Sequence, residues 1–324
     1  MSTGSGALPA SSESRETFAC FGSQCTVIVS DHREGQASAA VIRARQRLLE
    51  WHSQFSRFEP ASELSRLNAD PRETVPVSPL LRRIVEVGVL AAQRTGGLVD
   101  PTLATEIERA GYTRHLAADG VPLELGLALA PPRARAAADP AARWRQVIVN
   151  RAASTITRPS AVKIDVGGIA KGVFADELAA GLSGYGAFAI DCAGDIRLGG
   201  SDGTSRELYV ESPFDDSILN TFTLASRGAA TSGIGKRSWL TGDRRPAHHL
   251  LDPATGEPAF TGVVQVTALA PSAAEAEVLA KAALLSGPQG APEWLVHGGV
   301  VVHDDRSCAV IAAGARHREL EPSS

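Results

Sequence analysis

The 324-residue sequence predicts an α+β protein, a sheet of mixed strand direction layered with helices, and not a doubly wound parallel sheet. Three observations point there. β-Branched runs such as CTVIVS and VIVN read as short strands. Other segments carry apolar residues at helical spacing. The two kinds do not alternate as βαβ units, because a meander of short strands with Gly and Asp turns fills about 190–265.

Residues 1–14 are small and polar and predict a disordered tail. Residues 16–30 end in an alternating β-branched run and predict a first strand. Residues 34–55 place Ala40, Ile42, Leu48, Leu49 and Trp51 at helical spacing. Pro60 breaks that pattern, and Ser62 is placed to cap a short helix. Ser78 before Pro79 starts another helix, which should end at Gly96–Gly97. Residues 113–142, rich in Ala, Pro and Arg, predict a long excursion. WRQVIVN, STITR and VKIDV predict strands, GIAKGVFADELAAGL a helix and AFAID another strand. Ser272 caps a last helix, SAAEAEVLAKAALLSG, whose Ala, Val and Leu content predicts deep burial. Short strands at 299–303 and 307–312 follow, and 316–324 is a C-terminal tail. One domain spans 15–315.

Hydrophobic residues make up 44% and charged residues 21%, an ordinary balance for a globular chain. The net charge of −4 provides no field for nucleic acid or an anionic membrane. No apolar stretch approaches the ~20 residues that a membrane span needs. The N-terminal segment has no basic region followed by an apolar one, so a cytoplasmic location without a membrane anchor is expected. Cys20, Cys25, Cys192 and Cys308 form no C-x-x-C pair and are expected to be reduced thiols. Only Lys163, Lys171, Lys236 and Lys281 are lysines; the other 28 of the 32 basic residues are Arg. A Lys retained against that bias draws attention to its surroundings, since Lys is a compact charge and Arg a planar fork.

Six segments could carry chemistry. In IDVGGIAKG, residues 164–172, Asp165 and two glycines lead into a helix with Lys171 in its first turn, a place where free N–H groups attract anions. It fits neither a Walker A loop nor G-x-G-x-x-G; a plain strand–turn–helix is the competing reading. Asp191 and Asp195 flank a Gly turn and either hold a divalent cation or form an Asp-rich hairpin. HHLLDPATGEP sets His248 and His249 just before a Asp–Pro turn, where a His serves as base, phosphate contact or structural group. Glu277 and Lys281 are spaced i, i+4, which on a surface is a weak ion pair. GGLVDPT and ATSGIGKR are weaker loop signals.

In this order, FSRFEPASELSRLN, TGGLVDPT, DVGGIAKGVFAD, AGDIRLGG, ATSGIGKR, HHLLDPATGEP and APSAAEAEVLAKA resemble the ApbE family of FAD:protein FMN transferases, over about 17–310. The resemblance implies an ApbE-like fold and an enzyme that binds FAD. With Mg²⁺, such an enzyme moves the FMN half onto a Thr or Ser hydroxyl of a target protein and releases AMP. It implies that the GGIAKG turn, with Gly168, Lys171 and Gly172, holds the pyrophosphate, that Val173 also belongs to the cofactor site, and that Asp165 lies against the flavin nucleotide. Phe21, Phe58, Leu98, Val99 and Asp100 match positions lining the FAD site, with Phe21 where the family has Met. His249 matches the His close to the reacting phosphate and is the candidate base or phosphate contact. The Ala170 carbonyl and Glu277 match metal ligands. The family has Asp and, four residues on, Thr as its metal pair; this chain has Glu277 and Lys281. An ammonium cannot ligate a metal, so Mg²⁺ is in question, and Lys281 is expected near the pyrophosphate instead. Two other readings stay open: hydrolysis of FAD to FMN and AMP, and FAD binding without catalysis.

Overall fold

The computed structural model describes residues 12–33, 35–114, 120–215 and 217–314. A hairpin of β1 (Ser12–Cys20) and β2 (Ser23–Asp31) leads into α1 (Gln36–Phe55), α2 (Glu63–Ala69), β3 (Thr74–Pro76) and α3 (Pro79–Arg94). Next come α4 (Ala104–Arg109), α5 (Leu123–Ala128), β4 (Ile148–Asn150) and β5 (Thr155–Thr157). The middle of the chain is α6 (Ala170–Leu182), β6 (Ala187–Cys192), β7 (Asp195–Gly199), β8 (Arg206–Glu211), β9 (Ile218–Leu224) and β10 (Gly228–Gly233). β11 (Ser238–Leu240), β12 (Pro246–His248) and β13 (Val263–Ala270) precede α7 (Ala273–Leu285), α8 (Gly287–Trp294), β14 (Gly299–His303) and β15 (Cys308–Ile311).

Eight strands form one sheet in the order β1-β2-β6-β7-β10-β13-β14-β15. Every pair in it is antiparallel, so the α+β expectation holds while the mixed strand direction does not. α1 packs on β1 and β2, α6 on β6 and β7, and α7 on β10 and β13. Alternation along β10 separates the two faces. Ala230 packs with Ala276 of α7, whereas its neighbour Ala229 meets Leu208 and Phe222 of the β8–β9 hairpin.

Four local readings are corrected. Residues 16–30 are two strands, not one: Phe21 and Gly22 both take positive φ (55° and 70°), the geometry of a tight hairpin turn. Residues 12–14 belong to β1, whereas residues 1–11 and 316–324 of the expected tails lie outside the described residues. VKIDV forms no strand and joins no sheet. The Asn68 amide takes the place of a strand neighbour for Ile164: its Nδ2 donates to the Ile164 carbonyl and its Oδ1 accepts from the Ile164 N–H, both at 2.8 Å. Within 113–142, α5 gives part of the excursion regular structure, and 115–119 lie outside the described residues. Ser62, Ser78 and Ser272 cap α2, α3 and α7 as their positions predict, each accepting an N–H three residues on.

α6 and α7 cross in close contact, and their termini cap one another. Asp176 of α6 accepts from the N–H groups of Ala273 and Ala274 at 2.9 and 3.0 Å. Glu277 of α7 accepts from the Gly172 N–H in the first turn of α6 at 3.0 Å. Small residues allow the approach: a Cβ on Gly172 would lie 2.7 Å from the Ala274 Cα. Ten of the thirteen residues of α7 are buried, Glu277 completely, as its composition predicts.

Lys171 closes the crossing. Its Nζ donates to Asp195 of β7 and, at 2.8 Å, to Glu277 Oε1. Burial works against the Lys171 ammonium, but the two carboxylates outweigh it and hold its pKa above the ordinary value. Burial and the negative charge of Glu277 push Asp195 up to about 7, against the pull of Lys171. Glu277 stays ionised despite burial because Lys171 and Lys281 flank it.

Two measurements test this account. Gly172→Ala should cost about 1–3 kcal/mol in urea unfolding, since backbone must move to admit the methyl group. Gly181→Ala, in the same helix with nothing within 4 Å of the added carbon, should gain about 0.5–1 kcal/mol. Equal effects would mean that α6 and α7 are not in close contact at Gly172. Lys171→Ala leaves two buried carboxylates short of a cation and should cost about 3–5 kcal/mol. The loss should deepen as pH rises past about 7, where Asp195 of the wild type ionises while that of the variant still holds its proton. A carboxyl with its folded pKa above the unfolded 3.8 keeps more protons when folded, so stability falls as pH rises toward that folded pKa. Removing Lys171 extends the window upward for Asp195. A pH-independent loss would contradict the placement of Lys171 between the carboxylates.

Candidate active site

A cleft lies beside the first turn of α6. The 165–169 segment and Ala170 and Lys171 form one side, and α7 adds Lys281 and Leu285. The hairpin turn supplies Phe21, the end of α1 supplies Trp51, His52 and Phe55, and the next loop supplies Arg57 and Phe58. Leu98, Val99, Asp100, Tyr112, Arg237 and His249 also line it.

One wall is aromatic. Phe174 of α6 stacks on Phe21, Trp51 and Phe55 at centroid distances of 5.6, 5.2 and 5.9 Å. The positive φ of Phe21 is costly for a residue with a side chain and turns its ring onto this stack. Arg237 Nη2 donates to the Phe21 carbonyl at 3.2 Å and steadies the turn. A second cluster joins Phe58, Tyr112 and Trp239, with the Arg57 guanidinium 4.2 Å from the Phe58 centroid and 4.8 Å from that of Tyr112. Arg57 Nε also lies 3.4 Å from Asp165 Oδ2, fixing the guanidinium at the mouth of the 165–169 turn.

The polar side is strongly cationic. Lys171, Lys281 and Arg237 line it, and both lysine side chains are nearly buried. Lys281 Nζ donates to Glu277 Oε1 at 3.0 Å; burial lowers its pKa, with Glu277 opposing. His249 lines the cleft with its Nδ1 buried and without a partner among the described residues. Burial and the nearby charge of Arg237 keep its ring neutral, with a pKa well below the usual histidine value. The neighbouring His248 faces the core instead, edge-on to Phe260 at 4.8 Å, with its pKa pushed down to about 3 by burial. Asp100 Oδ1 accepts from the Thr102 N–H and hydroxyl at 2.7 and 2.5 Å, while Oδ2 is buried and unpaired among the described residues. Burial raises the Asp100 pKa.

Of the residues expected here, Phe21, Phe58, Leu98, Val99, Asp100, Asp165, Gly168, Ala170, Lys171, His249 and Lys281 meet in the cleft. Gly172, Val173 and Glu277 do not line it. Gly172 abuts the backbone of α7, Val173 is buried in the core, and Glu277 lies beneath Lys171 and Lys281. The turn also has fewer free N–H groups than a helix start suggests. Gly167 donates to Asp165 Oδ1 at 2.7 Å, Ile169 and Ala170 donate to the Val166 carbonyl at 3.0 and 2.8 Å, and Gly172 donates to Glu277. Attraction for an anion therefore rests chiefly on side-chain cations. Asp191 and Asp195 form no cation pair: Asp191 accepts from the Gly194 N–H, and Asp195 holds Lys171. Arg57, Tyr112 and Arg237 were missed. Arg237 stands next to Lys236 in ATSGIGKR, where the rarity of Lys pointed one residue early.

The donor set does not fit a divalent cation. Both Glu277 oxygens are engaged, Oε1 by Lys171 and Lys281 and Oε2 by the Gly172 N–H. Where a second oxygen ligand is expected stands an ammonium, which ligates nothing. Among the described residues no group of three or more His, Cys, Asp or Glu side chains is arranged to hold a metal.

Comparison with known proteins places this geometry. The ApbE family model matches residues 21–302. The FAD:protein FMN transferase of Rhodobacter capsulatus is 26% identical over 296 residues, covering 88% of this chain and 54% of that protein, so the chain spans about half its length. The FAD:protein FMN transferase of Treponema pallidum is also 26% identical, over 82% of this chain and 77% of its own. The ApbE protein of Thermotoga maritima superposes with a TM-score of 0.75 at 23% identity, covering 93% of this chain and 97% of that one, a likeness of fold. With the family model matching from the Phe21 turn to the penultimate strand of the sheet, the chain belongs to the ApbE family.

Proposed function

We propose that this chain transfers the FMN half of FAD to a Thr or Ser hydroxyl of a target protein, releasing AMP. One observation carries the reading: His249, Lys281 and the 165–171 turn, far apart in sequence, meet in one cleft that also has an aromatic wall. An aromatic wall suits a flavin ring, and a cationic side suits a pyrophosphate. The curated relatives named FAD:protein FMN transferase support the same activity. A cytoplasmic location belongs to this proposal; among the described residues no helix is long and apolar enough to cross a membrane.

In the reaction an acceptor oxygen attacks the phosphorus of the FMN half. The new O–P bond forms as the bridging P–O bond breaks, and the electron pair leaves on AMP. The hydroxyl proton must go to a base, and the neutral His249 ring can take it and pass it to water. Lys171, Lys281 and Arg237 offset the charge that grows on the phosphates. Water in place of the hydroxyl would give FMN and AMP, so exclusion of water by the target protein decides between transfer and hydrolysis.

His249→Ala should lower FMN transfer by about 10²–10⁴-fold while FAD stays bound. His248→Ala should act on thermal stability and leave the rate per folded molecule within about tenfold, because its ring packs in the core. Matching rate losses for the two variants would remove the role given to His249. The acid limb of the kcat/KM profile due to His249 should lie below the ordinary histidine value of 6.5, since its folded pKa is lowered and the base form persists to lower pH. By fluorescence titration FAD should bind more tightly than riboflavin; equal affinity would deny the cleft a pyrophosphate site.

A further inference from the structure

We infer that the Lys281 ammonium takes the place of the divalent cation at this site, so that FAD binding by this chain does not depend on Mg²⁺. The inference rests on the flavin-transferase reading above and adds to it the chemistry of the charge that meets the pyrophosphate.

The geometry carries it in three steps. First, the acidic anchor is already spent. Glu277 Oε1 receives two ammonium groups, from Lys171 at 2.8 Å and Lys281 at 3.0 Å, and Oε2 receives the Gly172 N–H at 3.0 Å. A metal there would have to displace a buried ion pair and strip a helix cap. Second, the two ammonium groups differ in duty. Lys171 is shared between Asp195 and Glu277, whereas the only carboxylate within salt-bridge distance of Lys281 is Glu277, among the described residues. Lys281 therefore has bonding capacity left for a ligand oxygen. Third, the space is arranged for it. A Cβ on Gly168 would come within 3.1 Å of Lys281 Cε and 3.9 Å of Nζ, so the bare turn lies against the end of the lysine. Gly168, Ala170, His249 and Lys281 line the same cleft, and the Lys281 charge is felt at the His249 ring. A fixed ammonium offers one charge and directional donors without the octahedral oxygen shell that Mg²⁺ demands.

The test uses the whole chain. Flavin fluorescence gives FAD affinity in EDTA and in excess Mg²⁺, and Mn²⁺ electron paramagnetic resonance counts bound ion in the presence of FAD. Wild type should bind FAD equally in both media and take up no Mn²⁺. Lys281→Gln should lose about tenfold in FAD affinity whether or not Mg²⁺ is present, the effect of losing one charge-assisted contact. Glu277→Asp combined with Lys281→Thr should bind Mn²⁺ with FAD and gain affinity for FAD when Mg²⁺ is added. If that double variant does not fold, wild type and Lys281→Gln still decide. Stoichiometric Mn²⁺ on wild type, or FAD binding that needs Mg²⁺, would overturn the role of Lys281 while leaving the flavin reading intact. Absence of flavin binding under every condition would overturn the flavin reading, and this inference with it.

Discussion

The buried carboxylate of Glu277 is the constraint on which the rest of the molecule turns. A carboxylate removed from water must be fully paired or it protonates. Here it is paired from three directions: by Lys171 from α6, by Lys281 one turn along its own helix, and by the first-turn N–H of Gly172. Each partner fixes a different part of the structure. Lys171 ties α7 to α6 and, through Asp195, to β7; the Gly172 N–H sets the depth at which the helices cross; Lys281 is held at the edge of the cleft. The same pairing that makes the crossing tolerable therefore also places the cations of the site.

From that crossing the rest of the cleft follows. α6 begins where the 165–169 turn ends, so its position sets that turn, and the Asn68 amide holds Ile164 just before it. Phe174, one turn into α6, gives Phe21, Trp51 and Phe55 a common surface to stack on. The strained Phe21 turn is held at its carbonyl by Arg237. Arg237 thus links the aromatic wall to the cationic side. Strain at a binding surface is kept only where neighbours over-determine it, and this turn has such neighbours.

Most of the candidate site was legible because its residues sit in short segments of distinctive chemistry: glycines before a helix, a His pair before a Asp–Pro turn, a Glu and a Lys in an alanine-rich helix. Helix caps were legible for a similar reason, since Ser before an apolar run has one strong local use. What sequence alone could not show was pairing across distance. Glu277 and Lys281 read as an i, i+4 pair on a buried helix, but nothing in the sequence shows that Lys171 joins them from more than a hundred residues away. VKIDV has strand composition, but its neighbour is one side chain rather than a strand. ETFACFGSQCTVIVS looks continuous because the turn is made by Phe–Gly and not by the usual Asn–Gly or Asp–Gly pair. Arg57, one of 28 arginines, offered no compositional contrast to mark it.

The scarcity of lysine acquires a physical reason at two of its four positions. Lys163 makes only a surface pair with Glu108 at 3.7 Å among the ion pairs of the described residues, and Lys236 does not line the cleft, so neither needs one. Lys171 and Lys281, by contrast, bring two ammonium groups onto a single oxygen of Glu277, inside a crossing tight enough to exclude a methyl group at Gly172. Two guanidiniums would crowd that oxygen, because each is a broader, planar group that pairs best with two acceptors side by side. A compact ammonium on a flexible stem fits, and it keeps donors free for another anion. A chain that uses Arg nearly everywhere else has Lys at 171 and 281, where two cations converge on one carboxylate oxygen.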